Sequence, residues 1–189
     1  MKVNILLSTY NGEQYLKDQV KSIKGQTYQD WQLLIRDDGS TDGTVEIIQE
    51  LVAQDERIRF INQEAIENLG VIKSFHTLLK YEKADLYCFS DQDDVWLPEK
   101  IALQVEEAEK HPQEEPLLVY TDLKVVDENL NVQHESMIRT QSDHANTELI
   151  QELTENTVTG GVAMINHALA ELWTGQEKHA LLMHDWYLA

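Results

Sequence analysis

Positive charge is scarce in this sequence. Fifteen Lys and Arg residues face 34 Asp and Glu, a formal net charge of -19. Such a surface repels phosphate backbones and anionic headgroups, so neither nucleic acid nor an anionic lipid surface is an expected partner. Cysteine is scarcer still. Cys88 stands alone inside an apolar run, which excludes an internal disulfide and a cysteine-spaced metal site and leaves a buried thiol. Long hydrophobic runs are missing too. The apolar stretch from Val3 to Leu7 is too short for a signal-peptide core or a membrane span, so the default expectation is a cytoplasmic protein. No glycine triplet of the G-x-G-x-x-G kind follows the first strand and no P-loop occurs, which disfavours a dinucleotide-binding dehydrogenase. The chain also lacks repeats, linkers and low-complexity tracts.

What is present suffices for one domain: 189 residues, 42% of them hydrophobic. Short β-rich runs alternate with helical patterns. Strands are expected at Val3–Ser8, Trp31–Arg36, Ile58–Ile61, Leu86–Ser90 and Leu117–Thr121. Helices are expected from about Glu13, with Asn11 as N-cap, and over Thr44–Ala53, Asn68–Tyr81 and Pro98–His111. This alternation predicts a three-layer α/β/α domain around a mostly parallel central sheet. Beyond Asp122 the pattern loosens. Val125–Val132 reads as a strand or hairpin turning near Asn129, 136–147 as a loop, Thr147–Leu153 as a short helix and Val162–Ile165 as a short strand.

Ligands of open α/β sheets bind beyond the carboxyl ends of the strands. Polar, acid-rich loops follow three of the expected strands: Ser8-Thr9-Tyr10-Asn11-Gly12, Arg36-Asp37-Asp38-Gly39-Ser40-Thr41-Asp42-Gly43, and Ser90-Asp91-Gln92-Asp93-Asp94. Were Asp37, Asp38, Asp91, Asp93 and Asp94 to converge, each pair at ~4 Å would cost roughly 4 kcal/mol at an effective dielectric near 20. Only a positive charge stabilises such a cluster. Carboxylate oxygens select a hard cation, Mg²⁺ or Mn²⁺, which takes its remaining ligands from water and substrate phosphates. A diphosphate ligand is therefore expected. Asp42 fits better as a helix cap, and Asp37 or Asp38 alone serves equally well as a turn residue. Three carboxylates in four residues directly after an apolar strand exceed what a turn needs.

These three segments, followed by Val95-Trp96, Thr159-Gly160-Gly161 and His184-Asp185-Trp186, resemble the family 2 glycosyltransferases in order and spacing. The Asp-Gln-Asp-Asp-Val-Trp and His-Asp-Trp variants are most similar to bacterial rhamnosyltransferase-like members. The resemblance implies a GT-A type fold spanning 1–189, with a nucleotide-binding half over 1–122 and an acceptor-side half over 123–189. It implies inverting, metal-dependent transfer of a single sugar from a UDP- or dTDP-sugar, dTDP-rhamnose among the candidates. The implied acceptor is a hydroxyl of a carbohydrate or lipid-linked molecule in surface polysaccharide or glycoconjugate synthesis, with the enzyme working at the inner face of the membrane. Thr9, Asn11 and either Asp37 or Asp38 would hold base and ribose, and Asp91 would serve the ribose or the metal. Asp93 would be the direct metal ligand. Asp94, Gly160 and Gly161 would meet the donor sugar, and Asp185 would be the catalytic base. An aspartate is a weak base at neutral pH, so burial beside Trp186 is expected to raise its pKa. Without the resemblance, Asp185 reads equally well as a helix N-cap, and His184 and Trp96 read as wall and packing residues.

Members of that family continue well past the catalytic base, whereas this sequence stops at Ala189. The expectation is a domain truncated at its C-terminus that binds donor but transfers sugar poorly. The Gln-x-x-Arg-Trp signature of processive synthases is absent from these residues, which favours single-sugar transfer. Two further readings compete. Asp91-Gln92-Asp93-Asp94-Val95 fits the loose pattern of a Mg-dependent aspartyl-phosphate phosphohydrolase, although that motif normally follows the first strand of its fold. A non-catalytic nucleotide-sugar-binding subunit is the other.

Overall fold

The computed structural model describes residues 1–142, 145 and 157–175. Four parallel strands form most of its sheet: β1 (Val3–Thr9), β2 (Trp31–Asp37), β3 (Ile58–Phe60) and β4 (Leu86–Ser90). Two more, β5 (Leu118–Tyr120) and β8 (Ala163–Asn166), complete six strands in the order β3-β2-β1-β4-β8-β5. β8 pairs antiparallel with both of its neighbours. The expected mostly parallel sheet is thus present, with one strand reversed. A separate hairpin joins β6 (Val125–Val126) to β7 (Val132–His134) through a turn containing Asn129.

Strand side chains alternate between two faces, and both faces are covered. Val3, Ile5 and Leu7 of β1 and Leu86 and Cys88 of β4 pack on one side. There they meet α1 (Leu16–Lys24), α2 (Thr44–Gln54) and α4 (Lys100–Ala108), through residues such as Val20, Ile48 and Val105. Leu6, Leu34, Tyr87 and Phe89 face the other way, toward α3 (Val71–Tyr81) and α6 (His167–Thr174), where Phe75 and Trp173 close the second core. Cutting one of these fully buried aliphatic side chains to Ala would cost about 2–5 kcal/mol.

Several element ends differ from the sequence expectation, and three departures have a clear local cause. Asn11 does not cap α1, which begins five residues later; its backbone is left-handed at φ 49° and its side chain serves another loop. α3 starts at Val71 because Gly70, at φ 78°, interrupts the helical path. Within the stretch expected as loop, Ile138–Gln141 forms a short helix, α5. Ser136 Oγ accepts from Arg139 N and Asp122 Oδ1 from Ile138 N, so capping rather than apolar periodicity holds that turn. The helix expected over Thr147–Leu153 lies outside the described residues.

Candidate active site

β1 and β2 run in register, Thr9 beside Asp37, and Ser90 of β4 pairs with Leu7, two residues earlier. The three acid-rich loops therefore leave one edge of the sheet side by side. The first two are laced together. Thr41 N donates to Asn11 Oδ1 and Asn11 N to Ser40 Oγ, while Gly12 N donates to Thr44 Oγ1 and Gly43 N to Glu13 Oε2. Asp42 is not itself the N-cap of α2, which is Gly43; from one residue earlier its Oδ1 accepts from Thr44 N, the first residue of the helix.

The third loop is tied to the first by Gln92, whose amide bonds both main-chain groups of Tyr10. α1 supports it from beneath: Gln19 Nε2 donates to Ser90 Oγ at 2.8 Å and Trp96 N to Ser22 Oγ at 2.9 Å. Trp96 is a buried packing residue, as expected.

A cleft of about 360 Å³ opens between these loops and the start of α3. Ser8, Thr9, Tyr10, Asp38, Asn68 and Gly70 form one part of its wall; Asp91, Gln92 and Asp93 form another. The five aspartates do not form a single cluster. Asp37 is fully buried and absent from the cleft wall. It organises the turn, accepting from the amides of Gly39 and Ser40 and from Thr9 Oγ1. Asp38 lines the cleft and is paired internally with buried Arg36 at 2.6 Å. Leu69 N, Gly70 N and Ser74 Oγ also donate to it. Burial alone would raise the Asp38 pKa, but the bonds from Leu69, Ser74, Arg36 and Gly70 outweigh it and hold the carboxyl below its ordinary value. The positive charge that Asp38 requires is thus a protein side chain, not a metal.

Asp91, Asp93 and Asp94 form the second group. The reversed direction of β8 brings Gly160 and Gly161, which precede it, to the same edge. A Cβ built on Gly161 would stand 2.5 Å from Asp94 Oδ2 and 3.0 Å from Asp91 Oδ2. Only a bare glycine backbone allows both carboxylates so close. Burial raises the Asp94 pKa, the charge of Asp93 adds to the rise, and Lys100 opposes it. Among the described residues, no three His, Cys, Asp or Glu side chains form a ready-made metal cage. Two carboxylates on a cleft fit instead a divalent ion whose other ligands are water and a diphosphate. His184, Asp185 and Trp186 lie outside the described residues.

Sequence reasoning missed several contributors. Arg36 carried a signal, a charge inside an otherwise apolar strand. Gln92, Asn68 and Lys100 carried none, because their roles depend on loops brought together from distant parts of the chain.

The sequence profile of Glycosyl transferase family 2 matches residues 4–172. This chain belongs to that family. Over 98 residues it is 40% identical to the dTDP-rhamnosyl transferase RfbG of Shigella flexneri, a match covering 50% of this chain and 34% of RfbG. The family fold recurs in S. aureus TarS 1-349 in complex with UDP-GlcNAc. TM-score there is 0.70 at 20% identity, over 90% of this chain and 47% of that one. It recurs also in the mannosyltransferase PcManGT from Pyrobaculum calidifontis in complex with GDP-Man and Mn²⁺, with TM-score 0.51 and 20% identity over 56% of this chain and 31% of that one. The chain spans about two fifths or less of the length of its curated relatives. No helix among the described residues is long and apolar enough to cross a membrane.

Proposed function

We propose that the protein transfers a single sugar, with inversion, from a UDP- or dTDP-sugar to a hydroxyl acceptor, in a reaction that needs Mg²⁺ or Mn²⁺. One observation carries this reading. The reversed strand sets Gly161 against Asp94 and against Asp91, which lines a cleft together with Thr9, Asp38 and Asp93. A dTDP-using relative and neighbours bound to nucleotide sugars support the donor class, and a neighbour bound to Mn²⁺ supports the metal.

Asp38 is the base contact in this reading, with Asp37 shaping the turn behind it. Three donors converge on Asp38 Oδ1, whereas Oδ2 receives only Gly70 N among the described residues. Oδ2 keeps acceptor capacity for one ring N–H, which uracil and thymine supply. Thr9 and Asn11 hold the loop against which the nucleoside lies. Asp93 and Asp91 would hold the divalent ion, which when bound supplies charge neutralisation for the departing diphosphate. Asp94 and Gly160-Gly161 form the bed of the donor sugar. Asp185 accepts the proton of the acceptor hydroxyl as its oxygen bonds to the anomeric carbon and the bond to diphosphate breaks. Attack opposite the leaving group inverts that centre. Residues 123–189 belong to the acceptor side, and the cytoplasm, at the inner membrane face, is the proposed place of action. Surface polysaccharide or glycoconjugate assembly is the proposed setting.

Calorimetric titration with UDP and dTDP, with and without Mn²⁺, tests the reading. Binding that requires Mn²⁺ and disappears in Asp93→Ala is expected. A folded protein that binds neither nucleotide in Mn²⁺ would overturn it.

A further inference from the structure

Among the described residues, Val71 is the one aliphatic side chain in the cleft wall, which is otherwise polar, aromatic or glycine. It opens α3, packs into neither apolar core and is 44% exposed. Its neighbour Ile72 takes the core-facing position instead. A first helical turn favours acidic residues, so neither the helix start nor the packing calls for a valine here.

The backbone around Val71 is fixed on both sides. Gly70 N, just before it, donates to Asp38 Oδ2 at 2.9 Å, and Ser74 Oγ, one turn on, donates to Asp38 Oδ1 at 2.9 Å. Ser74 N closes the turn on the Gly70 carbonyl at 3.0 Å. Val71 is thus anchored next to the amide that bonds the Asp38 oxygen with acceptor capacity left. The ground beside it is open. Apart from its chain neighbours, no heavy atom lies within 4 Å of where a Gly70 side chain would begin.

Uracil and thymine present the same ring N–H to such an oxygen. They differ at the carbon two ring bonds away, where thymine carries a methyl group. An aliphatic side chain beside that edge tells them apart, because contact with the methyl removes apolar surface from water and uracil has nothing to bury there.

We propose that Val71 is a specificity-determining residue that meets the 5-methyl group of thymine and makes the cleft prefer thymine nucleotides to uracil nucleotides. The proposal rests on the reading of Asp38 as the base contact. A half-exposed contact of one methyl group amounts to about threefold in affinity.

Calorimetry in Mn²⁺ tests it with two pairs of ligands that each differ by that methyl alone: UDP with 5-methyl-UDP, and dUDP with dTDP. The pairing separates the methyl from the ribose hydroxyl, which also distinguishes UDP from dTDP. Wild type should bind the methylated member of each pair about threefold more tightly or better. Val71→Ser should narrow the preference to below about 1.5-fold, chiefly through weaker binding of the methylated members. A variant that merely disturbs the cleft would weaken both members alike and leave their ratio. Should Val71→Ser fail to fold by its melting curve, Val71→Ala carries the same expectation. Equal binding of both members by wild type, or a preference that survives undiminished in the folded variant, overturns the proposal. Folded wild type that binds none of the four nucleotides would bring down the base-contact reading itself, and the proposal with it.

Discussion

The Gln92 side chain pairs with the main chain of Tyr10 as a neighbouring strand would. Its Oε1 accepts the Tyr10 N–H at 2.9 Å, and its Nε2 donates to the Tyr10 carbonyl at 3.1 Å. The loop after β1 and the loop after β4 thus move together. Gln92→Leu breaks both bonds at a half-exposed site, a loss of about 1–2 kcal/mol. UDP affinity in Mn²⁺ should fall roughly fivefold to thirtyfold, and the melting temperature should drop by a few degrees. Gln92→Glu, which keeps the acceptor and loses the donor, should fall between.

Gly161→Ala places a methyl group 2.5 Å from Asp94 Oδ2, which must then move. Because the clash is with carboxylates of the acidic loop and not with either apolar core, the cost should appear in binding. Affinity for a nucleotide sugar should fall at least about tenfold, and affinity for the bare nucleotide less. Parallel titrations with UDP and a UDP-sugar read the difference.

Arg36 and Asp38 are both almost completely buried and satisfy each other. Arg36→Leu leaves a buried carboxylate without its charge partner and should cost about 3–5 kcal/mol, read by denaturant unfolding at pH 7. The pH dependence of the wild type follows from the lowered Asp38 pKa. A depressed native pKa means that the unfolded chain takes up the proton first as pH falls. Asp38 therefore contributes its full stability above about pH 4, the ordinary carboxylate value, and loses it as pH drops through its lower native pKa. Unfolding free energies measured from pH 6 downward should show this decline in the wild type and a shallower one in Asp38→Asn.

Cys88 is wholly buried in β4, and burial pushes its thiol pKa up to about 11. At pH 8 the native protein should not react with a chromogenic disulfide reagent, while the denatured protein should release one equivalent of chromophore. Rapid reaction of the native protein would contradict the placement of β4 between its two covering layers.

Much of this architecture could be read directly from the residue pattern. The runs Val3–Thr9, Trp31–Asp37 and Leu86–Ser90 are apolar enough to be buried on both faces, which makes a covered parallel sheet the natural solution. The acid loops could be found because they follow those strands. Which carboxylate faces the cleft was not legible. Asp37 and Asp38 are neighbours in one turn, and their directions depend on Thr9, Arg36 and the start of α3, all distant in sequence. The local pattern Asn-Gly-Glu suits a helix start, which is why Asn11 reads as a cap in the sequence. The competing claim, a left-handed turn that binds Thr41 N, came from another loop.

The reversed strand β8 has a consequence for how the site can vary. The proposed nucleotide cleft is built by the loops after β1, β2 and β4, three strands that run in one direction. The Gly160-Gly161 turn is delivered from the opposite direction, by a strand that shares only a short border with β4. On the proposed function, nucleotide recognition and sugar recognition are written on separate pieces of backbone that meet at one seam. Exchange of the segment leading into β8 could change which sugar is accepted while the nucleotide grip of β1 and β2 stays intact.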